Sequence, residues 1–384
     1  FAERLEILPL YARLSVADQR KVFNQSGSRR RVILATNVAE TSLTVPNIGY
    51  VIDPGFARIS RYSYRSKLQR LPIEAISRAS ADQRKGRCGR IAPGTCYRLY
   101  SEDDFQNRPA FTDAEILRVN LASVVLQMHA LGLGDIARFP FIDPPEPKAI
   151  KDAQRLLEEL RALEQGQLTP IGRQMARIPI DPRLAAMLVE ANRQGCLREM
   201  LIIAAGLAVQ DPRERPMEKA SAADTAHEMF VDEASDFMTY LNLWRWVEDQ
   251  RLALTRSRWM TTLRKRYINP LRVREWREIH RQLRSICREL GMQEVEQPGS
   301  YQRVHEAILA GSLSLIARHD ERGRYVGPRN LKLSLFPGSG LSGRTPRWVV
   351  AAEMVETRRV FARCVAQVES RWIEQQGAHL LKQR

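Results

Sequence analysis

Within this 384-residue sequence, the segment Gln83-Arg84-Lys85-Gly86-Arg87-Cys88-Gly89-Arg90 carries residue types suited to handling a phosphoryl group. If it forms one helix, Gln83, Arg87 and Arg90 fall at i, i+4 and i+7, which puts an amide and two cations on one stripe. A guanidinium stays charged at any working pH and offers a planar fork of donors, so two of them suit the oxygens of a phosphoryl group in transfer. Ser80, three residues before Gln83, predicts a capping box that starts the helix. Gly86 and Gly89 each cost about 1 kcal/mol relative to Ala in a helix interior, so something must pack closely there. On these eight residues alone, a surface helix with solvated arginines is the alternative.

The elements that would position this segment read as α/β. Val32-Ile33-Leu34-Ala35 has the look of a strand in a buried parallel sheet, and Tyr50-Val51-Ile52 is a second strand ending at the turn Asp53-Pro54-Gly55. Between them runs the polar stretch Thr36 to Thr44. In open α/β sheets ligands bind beyond the carboxyl ends of strands, so its hydroxyl and amide groups are placed to meet phosphate and sugar oxygens. A capped helix N-terminus explains the same residues equally simply. From Arg58 to Arg70, basic residues alternate with aromatic and apolar ones, which predicts a projecting β-hairpin with a basic edge that contacts nucleic acid; a plain solvated edge is the alternative.

Further along, Thr112-x-x-Glu115 predicts a helix start before the apolar positions up to Met128. A Pro-rich connector, a second helix to about residue 162 and a tight turn at Gln165-Gly166-Gln167 then suggest a winged-helix-like module. Residues 183–290 read as helical, with breaks at Gln210-Asp211-Pro212 and Asn269-Pro270; most tryptophans there are expected in the core. The Arg-dense stretch 251–290 fits a phosphate-facing surface and a solvated one alike. Alternating strands at 331–336, 348–351 and 360–365, separated by Gly- and Ser-rich turns, predict a small OB-type barrel.

Composition bounds the function classes. Apolar residues make up 44% and no apolar run reaches bilayer-spanning length, so a soluble globular chain of several domains is expected, with no membrane partner. The five scattered cysteines contain no C-x-x-C pair; neither a disulfide framework nor a metal site is implied, and a reducing cytoplasm fits. The start Phe1-Ala2-Glu3-Arg4 is unlike a signal peptide and suggests a fragment. Net charge is +16, distributed as +11 over residues 1–100, −9 over 101–250, +9 over 251–290 and +5 over 291–384. Basic regions flanking an acidic one suit a polyanion held by non-adjacent modules.

Taken together, these residues resemble the DEAH-box branch of the superfamily-two RNA helicases. Ala35 with Thr36 to Thr44 is similar to that family's motif V, and Gln83 to Arg90 to its motif VI, at the expected separation. Gln83 and Glu40-Thr41-Ser42 separate the DEAH branch from the related DEAD-box enzymes. The resemblance covers essentially the whole chain and implies a multidomain fold: a partial RecA-like α/β domain (1–110), a winged helix (111–180), an all-α ratchet bundle (181–295) and a β OB-fold (296–384). It implies an ATP-dependent helicase moving three-prime to five-prime on single-stranded RNA, a cytoplasmic monomer, with ribosomal or ribonucleoprotein partners left open. By the same resemblance, Arg87 and Arg90 are arginine fingers on the γ-phosphate and Gln83 positions the attacking water. Thr44 lies at the nucleotide, and Phe23 matches the adenine-stacking aromatic, with a core Phe the alternative. Thr36, Asn37, Ser42, Arg58 and Arg65 face RNA.

Two departures stand out. Pro46 occupies the place of a ribose-binding Asp, which puts that contact in doubt, and Cys88 replaces a usual Ala. No Gly-x-x-x-x-Gly-Lys-Ser/Thr and no Asp-Glu-Ala-His occurs, so the phosphate cradle and the Mg²⁺ ligands are expected upstream, and this chain alone is expected not to hydrolyse ATP. A nucleic-acid-binding scaffold without motor activity and a DNA helicase are the competing functions. A pure scaffold has no need of the Gln83/Arg87/Arg90 set.

Overall fold

The computed structural model describes residues 5–11, 14, 16–24, 29–41, 43–63, 67–320, 323–356 and 359–381. They form two compact units, Phe1–Arg61 with Leu71–Arg118, and Tyr62–Arg70 with Val119–Arg384. Up to residue 118 the elements run β1 (Leu5–Leu10), α1 (Val16–Phe23), β2 (Arg30–Ala35), α2 (Val38–Thr41), β3 (Tyr50–Asp53), β4 (Phe56–Arg58), β5 (Arg61–Ser63), β6 (Leu68–Arg70), β7 (Ile73–Ala75), α3 (Arg78–Lys85), β8 (Thr95–Arg98) and α4 (Glu102–Asn107). Next come α5 (Ala122–Ala130), α6 (Pro147–Glu159), β9 (Leu163–Glu164), β10 (Gln167–Leu168) and α7 (Pro170–Ala176). A helical stretch follows: α8 (Pro182–Gln194), α9 (Leu197–Leu207), α10 (Ala220–Glu228), α11 (Asp236–Ala253), α12 (Arg256–Lys265), α13 (Pro270–Glu289) and α14 (Tyr301–Ser312). The chain closes with β11 (Ile316–His319), β12 (Tyr325–Gly327), β13 (Leu331–Leu335), β14 (Trp348–Glu356), β15 (Val360–Gln367) and α15 (Ser370–Leu381).

In the first unit β1 and β2 pair in parallel, as do β3 and β8, while β4 and β7 are antiparallel. Parallel pairing matches the sequence pattern; burial on both faces does not. Leu34 is 62% exposed and Ile52 67%, so these strands bury one face only. The buried face of β1 and β2 gathers Leu8, Leu10 and Val22, with Phe23, Ile33, Val38 and Leu43 packed against them.

Helix α3 corrects the expected stripe. It ends at Lys85, with Gly86 as C-cap, so Arg87 and Arg90 lie beyond it and share no helical face with Gln83. Glycines at 86 and 89 are poor helix formers, and Gly94 lets the chain fold back so tightly that a Cβ there would sit 2.0 Å from the Cys88 carbonyl oxygen. The N-cap is Ser77, whose Oγ accepts from the Ser80 amide at 3.2 Å, and not Ser80 as the capping-box pattern suggested. Thr112 likewise caps no helix. Its hydroxyl donates to Ser77 Oγ at 3.2 Å, a short turn spans Glu115–Leu117, and α5 begins only at Ala122.

In the second unit the Gln165-Gly166 turn joins β9 and β10, both residues having positive φ (49° and 75°). Helices α8 to α14 enclose a core around Trp276, which is fully buried and donates its Nε1–H to the Ile202 carbonyl at 2.9 Å. Tyr240 and Trp244 meet its ring edge-on at 5.7 and 4.9 Å, so these aromatics are core, as their area demands. The strands pair in the ring β11-β12-β13-β15-β14 and back to β11, a closed five-stranded barrel. The 62–70 hairpin extends this sheet: β6 lies parallel to the far end of β14, registering Gln69 with Val355 and Arg70 with Glu356. Arg70 Nε pairs with Glu356 at 2.7 Å, and Lys67 pairs with the buried Asp152 of α6. One basic flank of the hairpin is therefore tied into the second unit by ion pairs.

Candidate functional site

The site grows from the carboxyl end of β3. Asp53 is buried there, its Oδ1 accepting from the Gly55 amide at 2.9 Å and its Oδ2 from the Tyr100 hydroxyl at 2.8 Å. Burial, then the Asp53 charge, pushes the Tyr100 phenol up to about 12, which keeps it a donor. Arg84, in the last turn of α3, gives Nη1 to Asp53 Oδ1 at 2.7 Å and Nε to Glu40 Oε2 at 2.9 Å. Burial works against its charge, but the bonds to Glu40 and Asp53 outweigh it and hold the guanidinium above its ordinary pKa.

Glu40 joins three parts of the site. Its Oε1 accepts from the Ser80 hydroxyl at 2.5 Å, its Oε2 from Arg84, and its backbone carbonyl from Arg87 Nη2. It rides on the single turn α2, which Thr36 and Asn37 start: their carbonyls accept from the Ala39 and Glu40 amides at 3.2 and 3.0 Å. Thr36 and Asn37 are thus joined by backbone bonds to the turn whose Glu40 carbonyl accepts from Arg87.

Arg87 and Arg90 differ from Arg84 in what they hold. Arg87 Nη1 is buried without a partner among the described residues, and burial together with the neighbouring Arg90 charge lowers its pKa. Exposed Arg90 donates Nη1 to Thr44 Oγ1 at 2.6 Å. Neither guanidinium touches a carboxylate among the described residues. Two adjacent cations with spare donors form a receptor for an anion, and the orphaned Nη1 is an unmet demand for an acceptor.

The other predicted residues divide. Gln83 is exposed on the last turn of α3, and Thr36, Asn37 and Arg58 are exposed with no side-chain hydrogen bond among the described residues. Ser42 and Arg65 lie outside the described residues. Phe23 packs partly into the Leu8–Leu10–Val22 cluster, which favours its core role. Sequence reasoning gave Ser80, Arg84, Asp53 and Tyr100 no part in the site, and Ser80 entered that reasoning only as a helix cap. Only the Asp53-Pro54-Gly55 turn at a strand end hinted at one of them. The carboxylates of Glu40 and Asp53 are committed to Arg84, and among the described residues no group of three His, Cys, Asp or Glu side chains converges on a metal position.

Four family models match successive stretches of the chain. Residues 1–92 match the helicase conserved C-terminal domain, 153–180 the helicase associated winged-helix domain, 181–240 the helicase associated ratchet-like domain and 304–380 the oligonucleotide/oligosaccharide-binding fold. The chain is 56% identical over 384 residues to the ATP-dependent RNA helicase HrpA of Escherichia coli (strain K12), across 98% of this chain and 30% of that protein. A homolog of HrpA from Haemophilus influenzae is 53% identical, again over 30% of its length. The probable ATP-dependent RNA helicase DHX35 of Homo sapiens is 36% identical across 99% of this chain and 54% of its own. The chain thus spans 30% of the two HrpA proteins and 54% of DHX35.

Proposed function

This chain is the helicase C-terminal, winged-helix, ratchet-like and OB-fold region of a DEAH-box RNA helicase, and on that premise we propose that it forms one wall of a two-part ATP site driving movement along single-stranded RNA. Arg87 and Arg90 act as arginine fingers: both are charged, adjacent and free of carboxylates, and the unpaired Arg87 Nη1 awaits an oxygen acceptor. This last contrast with Arg84, spent entirely within the protein, carries the reading. ATP supplies the phosphoryl group for transfer and Mg²⁺ its charge neutralisation. The phosphate cradle and metal carboxylates belong to a partner domain, since the corresponding motifs are absent from these residues.

Gln83, exposed one turn before Arg87, orients the attacking water. Thr44 holds Arg90, Phe23 offers what remains of its ring to adenine, and Thr36, Asn37, Ser42, Arg58 and Arg65 contact the RNA backbone, giving little sequence preference. Motion at Thr36-Asn37 reaches Arg87 through Glu40, which links RNA occupancy to the fingers. The protein works as a three-prime to five-prime translocase, a monomer in the cytoplasm. Among the described residues no helix is long and apolar enough to cross a membrane.

The test uses a longer protein that joins this chain to its phosphate-cradling domain. Arg87→Ala or Arg90→Ala should lower RNA-stimulated ATP hydrolysis roughly a thousandfold, the range found for fingers in other phosphoryl-transfer systems. A loss of less than about tenfold removes the finger role and leaves the scaffold reading. Equal stimulation by single-stranded DNA removes the RNA assignment.

A further inference from the structure

Between Arg251 and Arg274 the sequence has eight cations and no acidic residue. Two are used internally: Arg251 pairs with Glu248 at 2.9 Å, and buried Arg272 donates to the Asp211 carbonyl at 3.0 Å. The other six, Arg256, Arg258, Arg264, Lys265, Arg266 and Arg274, are exposed, with no ion pair or side-chain hydrogen bond among the described residues. Immediately afterwards the pattern reverses. Arg277 pairs with Glu248, Arg281 with Glu278 and Arg284 with Glu294, at 2.6, 2.9 and 2.5 Å. The chain neutralises one basic region and leaves its neighbour bare.

Stability does not account for the bare region. The helix dipole disfavours Arg256 and Arg258 in the first turn of α12 by about 0.3–1 kcal/mol each and favours Arg264, Lys265 and Arg266 at its other end by a similar amount, where three like charges crowd one another, so the dipole gives the set no clear net gain. The exposed groups between them are hydroxyls, Ser257 and Thr261. The one aromatic ring of α12, Trp259, is half-buried with Nε1–H on the Val247 carbonyl at 3.3 Å. Proteins that hold single strands commonly combine a basic groove with exposed aromatics on which bases stack, and this face supplies the cations without the aromatics. Duplex RNA hides its bases and presents phosphates and 2′-hydroxyls, which cations and hydroxyls can meet.

We propose that α12 with Arg274 is a docking surface for the backbone of double-stranded RNA, distinct from the strand-contacting residues Thr36 to Thr44. It rests on RNA being the partner. The helix is about 15 Å long, enough to follow several successive phosphates. The test measures binding of the 384-residue chain to a duplex of about 16 base pairs and to an unstructured single strand of equal length, by fluorescence anisotropy from about 50 to about 200 mM salt. The combined variant Arg258→Ala, Arg264→Ala, Lys265→Ala should make the salt slope for duplex shallower by about 2 to 3 and weaken duplex binding by about tenfold or more, with roughly threefold or less change for single strand. The charge-retaining variant Arg258→Lys, Arg264→Lys, Lys265→Arg should keep the slope, which separates charge from folding. Unchanged duplex binding, the result if an acidic protein is the true occupant, overturns the proposal, as does equal loss on both RNAs. A parent chain that binds single strand but no duplex also overturns it while leaving the proposed function standing; binding neither sinks both.

Discussion

Arg84 and Arg87 lie in one short motif, yet their removal should differ sharply in its effect on stability. Arg84→Ala takes away the cation facing Asp53, whose side chain is 0% exposed, and Glu40, whose side chain is 13% exposed. Glu40 can turn to water and keeps Ser80. Asp53 cannot: its charge is left with one amide and one phenol. Stranding one member of a buried pair costs about 3–5 kcal/mol, a large part of the roughly 5–15 kcal/mol that stabilises an ordinary domain. Arg87→Ala gives up one bond to a backbone carbonyl, about 1–2 kcal/mol, and relieves an unpaired buried donor, so its net cost should be about 1 kcal/mol or less. Equilibrium denaturant unfolding followed by circular dichroism separates the two. The Arg84→Ala midpoint should fall steeply while that of Arg87→Ala stays near the parent, with ATP hydrolysis in the longer protein lost in both. Arg84→Lys should fall between, because an ammonium cannot span two carboxylates as a planar fork does. An Arg84→Ala cost below about 1 kcal/mol would refute the claim that this network holds the site together.

Gly311 lets α14 approach α8, since a Cβ there would lie 2.3 Å from the Arg183 carbonyl oxygen and 2.7 Å from Met187 Cγ. Gly311→Ala should therefore cost about 1–3 kcal/mol, read as a lower unfolding midpoint, and a neutral result would mean the helices can separate freely. His305 is fully buried, with Nδ1 donating to the Tyr301 carbonyl at 2.6 Å and Nε2 accepting from Ser235 at 2.7 Å; burial lowers its pKa to about 4. The unfolded chain takes up a proton near 6.5 that the native state refuses, so this group makes stability fall as pH drops from about 6.5 to about 4, by up to about 3 kcal/mol. NMR titration should show a neutral His305 ring at about pH 5, and a midpoint near 6.5 would contradict the buried assignment.

What the sequence determined by itself was local. The helix break at Asn269-Pro270, the Gln165-Gly166 turn, the alternating strands of the barrel and the residue types of the Thr36–Thr44 and Gln83–Arg90 motifs depend on neighbours a few positions away, and they were legible for that reason. Which arginine serves the fold and which remains available was not. Arg84 is consumed by carboxylates 44 and 31 residues distant, and the helical stripe that seemed to group Gln83 with Arg87 and Arg90 is cut at Lys85 by glycines and a tight chain reversal. The 62–70 segment read as a free hairpin because its partner strand β14 lies far along the chain. Burial of β2 and β3 on one face only, and the bare charge of α12 and Arg274 beside the paired Arg277, Arg281 and Arg284, were likewise decided by tertiary structure. Propensity and capping act over a turn or two, whereas charge pairing and strand pairing choose among all segments that folding brings within a few ångströms.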